Sequence, residues 1–223
     1  MRDPDIRGII FDMDGVIADT DELHYRTWQR LAEEEGIDFS REKYLRMSGV
    51  GHEQNAQTFA EHVDIDEATL AEWMRRKQAY YVELREQIND DVIMPGTLAL
   101  IQQAKEANLS LAVGSSSRNA RPVLEKLKLL DEFEVIGDGY TVKHLKPAPD
   151  IFLWVAGALR LAPWHCLVLE DAPAGVTSAR RAGCYVVGVG ERDLNNAHQQ
   201  VTSLADVSLD DLLMRLRHVD PLA

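Results

Sequence analysis

The sequence predicts an α/β protein, a doubly wound parallel sheet whose chain is interrupted after the first strand by a block of helices. Three observations predict it. From Met94 onward, short apolar runs alternate with amphipathic stretches, the pattern of strand and helix in turn. Between residues 19 and 92 the periodicity is helical, with no convincing strand. Before that block stands a compact apolar run, Ile9, Ile10 and Phe11, which stops abruptly on Asp12, Met13, Asp14 and Gly15.

Each element has its own signal. The opening run has the length of a buried strand. Asp21 is expected to cap a helix reaching about Glu35, where Gly36 supplies the stop. Ser40 caps a short helix to about Met47, the loop Ser48 to Gly51 follows, and a further helix runs from Glu53 to His62. Asp66 caps the longest helix, in which Leu70, Trp73, Tyr81, Leu84 and Ile88 recur at three- and four-residue spacing and mark one buried stripe. Lys77 falls in that stripe, and two readings stand: a side chain snorkelling to solvent, or one serving a cleft. Beyond Pro95 and Gly96 a helix extends to about Ala107. Strands are then expected at Leu109–Val113, Phe133–Ile136, Cys166–Leu169 and Tyr185–Val189, and helices at Asn119–Leu127, Asp150–Leu159, Ala174–Ala182 and Ser208–Leu216. The domain division that follows is a core of residues 1–18 and 93–223 with a helical cap of residues 19–92.

Composition narrows the function classes. A formal net charge of −13 argues against a general binder of nucleic acid or anionic membrane. It also means that any anionic substrate needs a local cluster of cations. The polar start MRDPDIR is no secretory leader, and no apolar span is long enough for a membrane helix. With Cys166 and Cys184 as the two cysteines, the reading is a reduced, cytoplasmic protein, a Cys166–Cys184 disulfide being the minor alternative. A monomer is expected, since no broad apolar stripe is left over once core and cap are covered.

The chemistry gathers at strand ends. The first strand finishes on Asp12 and Asp14, the second on Ser115, the fourth on Glu170 and Asp171. In a parallel sheet these ends face the same way, so distant groups converge on one crevice. Alternate residues of an extended chain lie roughly 6.6 Å apart on one side, which lets Asp12 and Asp14 flank a single reacting group. Clustered carboxylates raise one another's pKa unless a cation sits among them, and hard oxygens suit Mg²⁺. Lys146, on a proline-stiffened loop, offers a fixed positive charge, and Ser115 with the amides that follow offers donors to phosphate oxygens.

These residues resemble the haloacid dehalogenase superfamily of phosphotransferases: DMDGV at Asp12–Val16, Ser115 after its strand, Lys146 in KPAPD, and Glu170 with Asp171 in LEDAPAG. The resemblance implies a Rossmann-like core, Asp12 as a nucleophile that becomes an aspartyl-phosphate, and Asp14 as general acid and base. It also implies Ser115 and Ser116 with Lys146 as phosphate holders, and Mg²⁺ surrounded by Asp12, Asp14 through its carbonyl, Glu170 and Asp171. Asp14 argues against the dehalogenase branch, which needs no acid there. His24 and Trp28 in DELHYRTW, the loop MSGVGHE, Lys77, and SSSRN at Ser115–Asn119 are similar to the β-phosphoglucomutase-like subfamily, which interconverts β-glucose 1-phosphate and glucose 6-phosphate through a bisphosphate. That likeness implies substrate contacts at His24, Gly49, Val50, His52, Lys77, Ser117, Arg118 and Asn119, whereas Trp28 is read as core packing. His52 stands where the subfamily usually has arginine, and a mostly neutral imidazole replaces a permanent bidentate fork. A sugar-phosphate phosphatase is therefore the alternative to a phosphohexomutase. A non-catalytic binder of phosphorylated ligands, and a phosphonate hydrolase using Lys77 as a Schiff-base amine, are minor ones. The partner implied is a small phosphorylated sugar.

Overall fold

A computed structural model describes residues 4–47 and 52–222. Six parallel strands form one sheet in the order β3-β2-β1-β4-β5-β6, from β1 (Gly8–Phe11), β2 (Ser110–Gly114), β3 (Val135–Gly137), β4 (Cys166–Glu170), β5 (Tyr185–Val189) and β6 (Gln199–Val201). Strand order departs from β1 in both directions, so the crevice beyond the carboxyl ends of β1 and β4 is the switch point at which open α/β sheets bind ligands.

Strand alternation divides the core between the two faces of the sheet. Ile9, Phe11, Leu111, Val113, Leu167, Leu169 and Val187 pack on one side with α5 (Thr97–Glu106), α6 (Ala120–Lys126) and α9 (Leu209–Arg215). Ile10, Ala112, Cys166, Val168 and Val186 pack on the other with α7 (Asp150–Ala158) and α8 (Pro173–Ala182). Both faces of the strands are buried, which is why they read as continuous apolar runs rather than alternating ones. Cys166 and Cys184 are buried free thiols, so the disulfide alternative does not hold.

The expected helical block is present between β1 and α5: α1 (Asp21–Glu35), α2 (Arg41–Leu45), α3 (His52–Phe59) and α4 (Glu67–Arg85). It has an apolar centre of its own. Trp28 is 2% exposed and lies against Phe59 with ring centroids 4.6 Å apart, Phe59 meets Trp73 edge-on at 5.8 Å, and Leu31, Tyr44 and Met47 close the cluster. Trp28 is thus a packing residue, as its place in the apolar pattern suggests.

Two expectations change. Asp21 is the first residue of α1 and not its cap; Thr20 occupies the cap position without a side-chain capping bond, because its hydroxyl is given to Asp14. Strand β6 was not expected from the sequence, since Gln199 and Gln200 are polar and Val201 alone of the three is buried, a composition suited to a short sheet edge. Among the described residues, no helix is long and apolar enough to cross a membrane.

Candidate active site

The register of β1 against β4 sets the centre of the site. Phe11 pairs with Leu169, the Asp12 amide donates to the Leu169 carbonyl at 2.9 Å, and Asp12 and Glu170 therefore leave the sheet side by side. Between their carboxylates sits Lys146, whose Nζ lies 2.5 Å from Asp12 Oδ1 and 2.5 Å from Glu170 Oε1. The other Glu170 oxygen accepts from the Ala172 amide at 3.0 Å. The loop that carries Lys146 is fastened to α8: Ser178 Oγ donates to the Ala148 carbonyl at 2.5 Å and Arg181 donates to the Pro147 carbonyl at 3.1 Å. The Lys146–Pro147 peptide is cis.

Ligand oxygens of Asp12, Glu170 and Asp171 lie within 4.8 Å of one another. Burial, reinforced by the Glu170 and Asp14 charges, pushes the Asp12 carboxyl up to about 8 in spite of Lys146. Burial together with Glu170 and Asp12 also raises Asp171 well above the carboxylate range. Burial works against the Lys146 charge, yet the two carboxylates more than offset it and raise its pKa. One ammonium thus holds two of three carboxylates, and the group has room for a further cation. The donor set fits a hard divalent metal with oxygen ligands. The Asp14 carboxylate stands outside this cluster, so a side-chain ligand role for it is not what the structure presents.

Asp14 faces the helical block instead. Its carboxylate accepts from the Thr20 hydroxyl and lies 3.8 Å from His24 Nε2. His24 Nδ1 is 3.0 Å from Lys77 Nζ, and the ring stacks on Tyr81 at 4.4 Å. Burial lowers Lys77 to about 8, which leaves it mostly an ammonium near neutrality and able to donate to Nδ1. Burial and that neighbouring charge keep His24 neutral, with its proton assigned to Nε2, toward Asp14. Although burial opposes it, hydrogen bonding from His24 and Thr20 holds Asp14 below the ordinary carboxylate value, hence ionised. Lys77, 5% exposed, belongs to the cleft and does not snorkel. His24 and Lys77 form a chain ending on Asp14, a more specific arrangement than the general substrate contact expected of them.

The far wall follows β2. Ser115 Oγ accepts from the Ser117 amide at 3.0 Å and Ser117 Oγ from the Asn119 amide at 3.2 Å, which curls the SSSRN segment around the cleft. Ser116 Oγ and Arg118 Nε are buried without a hydrogen-bond partner among the described residues, leaving donors for a ligand. Asn119 and Gln78 of α4 exchange amide hydrogen bonds at 2.8 and 3.3 Å across the cleft. Gln78, Thr20 and Tyr44 were not singled out in the sequence, and Asp21 was read there only as a helix cap; Gln78 follows Lys77 and was the one within reach of that reading. Gly49 and Val50 lie outside the described residues, as does the His52 side chain.

Gly175 reports how tightly the acidic group is packed. A Cβ there would overlap the Glu170 carboxylate. Gly175→Ala is expected to displace Glu170 from Lys146 and to weaken by about tenfold the hold of this acidic group on a divalent cation. Titration calorimetry with Mg²⁺ checks this, and wild-type affinity in the variant would show that Glu170 has slack.

The comparisons agree with this geometry. A model of the haloacid dehalogenase-like hydrolases matches residues 9–189. The chain is 34% identical over 210 residues to the β-phosphoglucomutase of Bacillus subtilis (strain 168), covering 92% of this chain and 93% of that protein. It is 32% identical over 186 residues to the fructose-1-phosphate phosphatase YqaB of Escherichia coli (strain K12), covering 82% and 95%. Among solved structures, β-phosphoglucomutase from Clostridium difficile superposes with a TM-score of 0.89 at 32% identity over 94% of this chain and 96% of that one. By its sheet, its strand-end residues and these relatives, the chain belongs to the haloacid dehalogenase-like hydrolase family.

Proposed function

We propose that this protein, a phosphomutase or phosphatase of that family, is a phosphohexomutase that converts β-glucose 1-phosphate to glucose 6-phosphate through a bisphosphate. The observation that carries the reading is the setting of Asp14, whose carboxylate is held by Thr20 and His24 of the inserted segment, so the acid/base works where that segment closes over the sheet edge. A lid that supplies part of the acid/base favours a sugar hydroxyl over water.

The steps follow from the residues. With Asp12 carrying the phosphoryl group, ionised Asp14 takes the proton of the sugar 6-hydroxyl, whose oxygen attacks phosphorus while the Asp12–phosphorus bond breaks. The bisphosphate turns over in the cleft. Asp12 then attacks the 1-phosphoryl group, the phosphorus–O1 bond breaks, and Asp14 returns its proton to the O1 leaving group. Lys146 and Ser115 hold the transferring phosphoryl oxygens, and Ser117, Arg118 and Asn119 with His52, Gly49 and Val50 bind the other end of the sugar phosphate. Mg²⁺ held by Asp12, Glu170, Asp171 and the Asp14 carbonyl would supply charge neutralisation to the phosphoryl group and favour ionised Asp12. Domain closure by residues 19–92 over the core of 1–18 and 93–223 excludes water.

Phosphorus NMR of the protein with β-glucose 1-phosphate, Mg²⁺ and a trace of glucose bisphosphate is expected to show glucose 6-phosphate appearing with little inorganic phosphate. Phosphate release at a comparable or higher rate would instead support the sugar-phosphate phosphatase, which His52 and the Escherichia coli relative favour. In that case His52→Arg is expected to shift the product ratio toward isomerisation several-fold.

A further inference from the structure

The crevice does not end at the residues that face Asp12. Gln78 and Arg118 line it, and the same two side chains line a groove of about 590 Å³ that continues between α4 and the loop after β3. That volume lies within the roughly 300–1,000 Å³ of small-molecule sites. On the α4 side the groove is apolar, with Leu70, Ala71 and Met74, while Gln57 and Glu67 add polar groups. On the core side stands Tyr140, 70% exposed yet fixed in place. Its amide donates to Asp138 Oδ1 at 3.0 Å, and the Gly139 amide donates to the Ser117 carbonyl at 3.0 Å, which ties this loop to the SSSRN segment. Arg118 Cζ lies 5.2 Å from the Tyr140 ring centre, and the buried Arg118 Nε has no hydrogen-bond partner among the described residues. The scheme above uses Arg118 but neither Tyr140 nor the groove.

We infer that the groove is a second-ring subsite, which receives the distal sugar of a disaccharide phosphate whose phosphorylated ring occupies the crevice at Asp12. A pyranose matches the lining: its C–H faces suit Tyr140 and the apolar residues of α4, and its hydroxyls suit the donors and acceptors around them. Continuity identifies the occupant as an extension of the substrate. A ligand anchored by its phosphoryl group at Asp12 reaches the groove by passing Gln78 and Arg118, where sugar hydroxyls can exchange for the hydrogen bonds of the Gln78–Asn119 pair. Binding energy gained there comes from a part of the substrate remote from the reacting bond. The inference rests on the reading that Asp12 takes the phosphoryl group and that Arg118 faces the other end of the sugar.

The test uses two ligands that share a glucose 6-phosphate ring and differ at its C1: methyl α-glucoside 6-phosphate, and maltose 6′-phosphate, phosphorylated on its non-reducing ring. Calorimetry with Mg²⁺ in the Asp12→Asn background, where transfer is blocked, is expected to show the disaccharide binding about tenfold tighter. Ala71→Phe, which fills the groove, and Tyr140→Ala, which removes the ring, are each expected to cut that advantage below about threefold while leaving the methyl glucoside within about twofold. Both positions are exposed, so neither change disturbs the core. With Asp12 intact, each variant is expected to turn over β-glucose 1-phosphate within about twofold of wild type. A disaccharide that binds no tighter than the methyl glucoside, or an advantage that survives in both variants, would overturn the inference. Should the protein transfer no phosphoryl group while the advantage depends on Ala71 and Tyr140, the functional reading falls and the subsite stands. Turnover without any advantage leaves the function and removes the subsite.

Discussion

Asp12→Asn is expected to abolish phosphoryl transfer, by about 10⁴-fold or more, and at the same time to stabilise the metal-free protein at alkaline pH. The loss of rate follows from removing the nucleophile. The gain in stability follows from linkage. Burial raises the Asp12 carboxyl from its ordinary 3.8 to about 8 in the folded chain, so between those values the folded state binds more protons than the unfolded one. Stability of the metal-free protein therefore falls as pH rises through that window. An amide at this position does not titrate, and Lys146 keeps Glu170 as its partner. In EDTA at pH 8 the variant is expected to exceed wild type by about 1–3 kcal/mol, the difference shrinking toward pH 5. Thermal unfolding at the two pH values checks it. A variant less stable than wild type at pH 8 would mean that the Lys146–Asp12 contact outweighs the crowding of charge.

Lys146→Ala is expected to do the opposite to stability and nearly the same to rate. Lys146, 3% exposed, touches both Asp12 and Glu170, and its removal leaves buried carboxylates facing one another. The cost is about 3–5 kcal/mol at pH 8, less at pH 5 where the Asp12 carboxyl takes up a proton, and kcat/KM falls by about 10³-fold with the loss of a fixed charge beside the phosphoryl group. Mg²⁺ is expected to recover part of the stability and little of the rate. Denaturant titrations with and without Mg²⁺ separate the two effects. Equal stability of variant and wild type at pH 8 would show that the cluster does not depend on this ammonium.

Much of the sheet was legible because buried parallel strands announce themselves as apolar runs, and their ends announce themselves by switching to Asp, Ser or Glu. That Asp12, Ser115 and Glu170 share a crevice followed from strand direction alone, whereas Lys146, on a loop, was assigned to it by the resemblance of its KPAPD motif. Lys77 was half legible: its place in the α4 stripe showed that it was buried or snorkelling, and the choice depended on His24 being opposite, 53 residues earlier in the chain. Arg192 and Asp21 carried no signal, since a charged residue in a loop and another at a helix start are ordinary until 171 residues of chain bring them to 3.0 Å. Asp21 was read as a cap for the same reason: nothing local reveals that Tyr44 and Arg192 claim its oxygens. Strand β6 escaped because its pairing to β5 is specified by backbone hydrogen bonds and one buried valine, not by an apolar run.

The side-by-side exit of Asp12 and Glu170 from β1 and β4 has a consequence for what this lineage can change. The spacing between nucleophile and cation ligand is set in whole residues, about 3.3 Å at a time, and each step also turns the side chain to the opposite face. Substitutions within Ile9–Phe11 or Leu167–Leu169 alter packing by degrees and leave the two carboxylates abreast. A single inserted or deleted residue in either strand has no intermediate outcome, since it puts Asp12 out of step with Glu170 and an apolar neighbour in the crevice. Length changes are therefore expected to be tolerated in the loops and the helical insertion, and within these two strands only exchanges of one apolar residue for another.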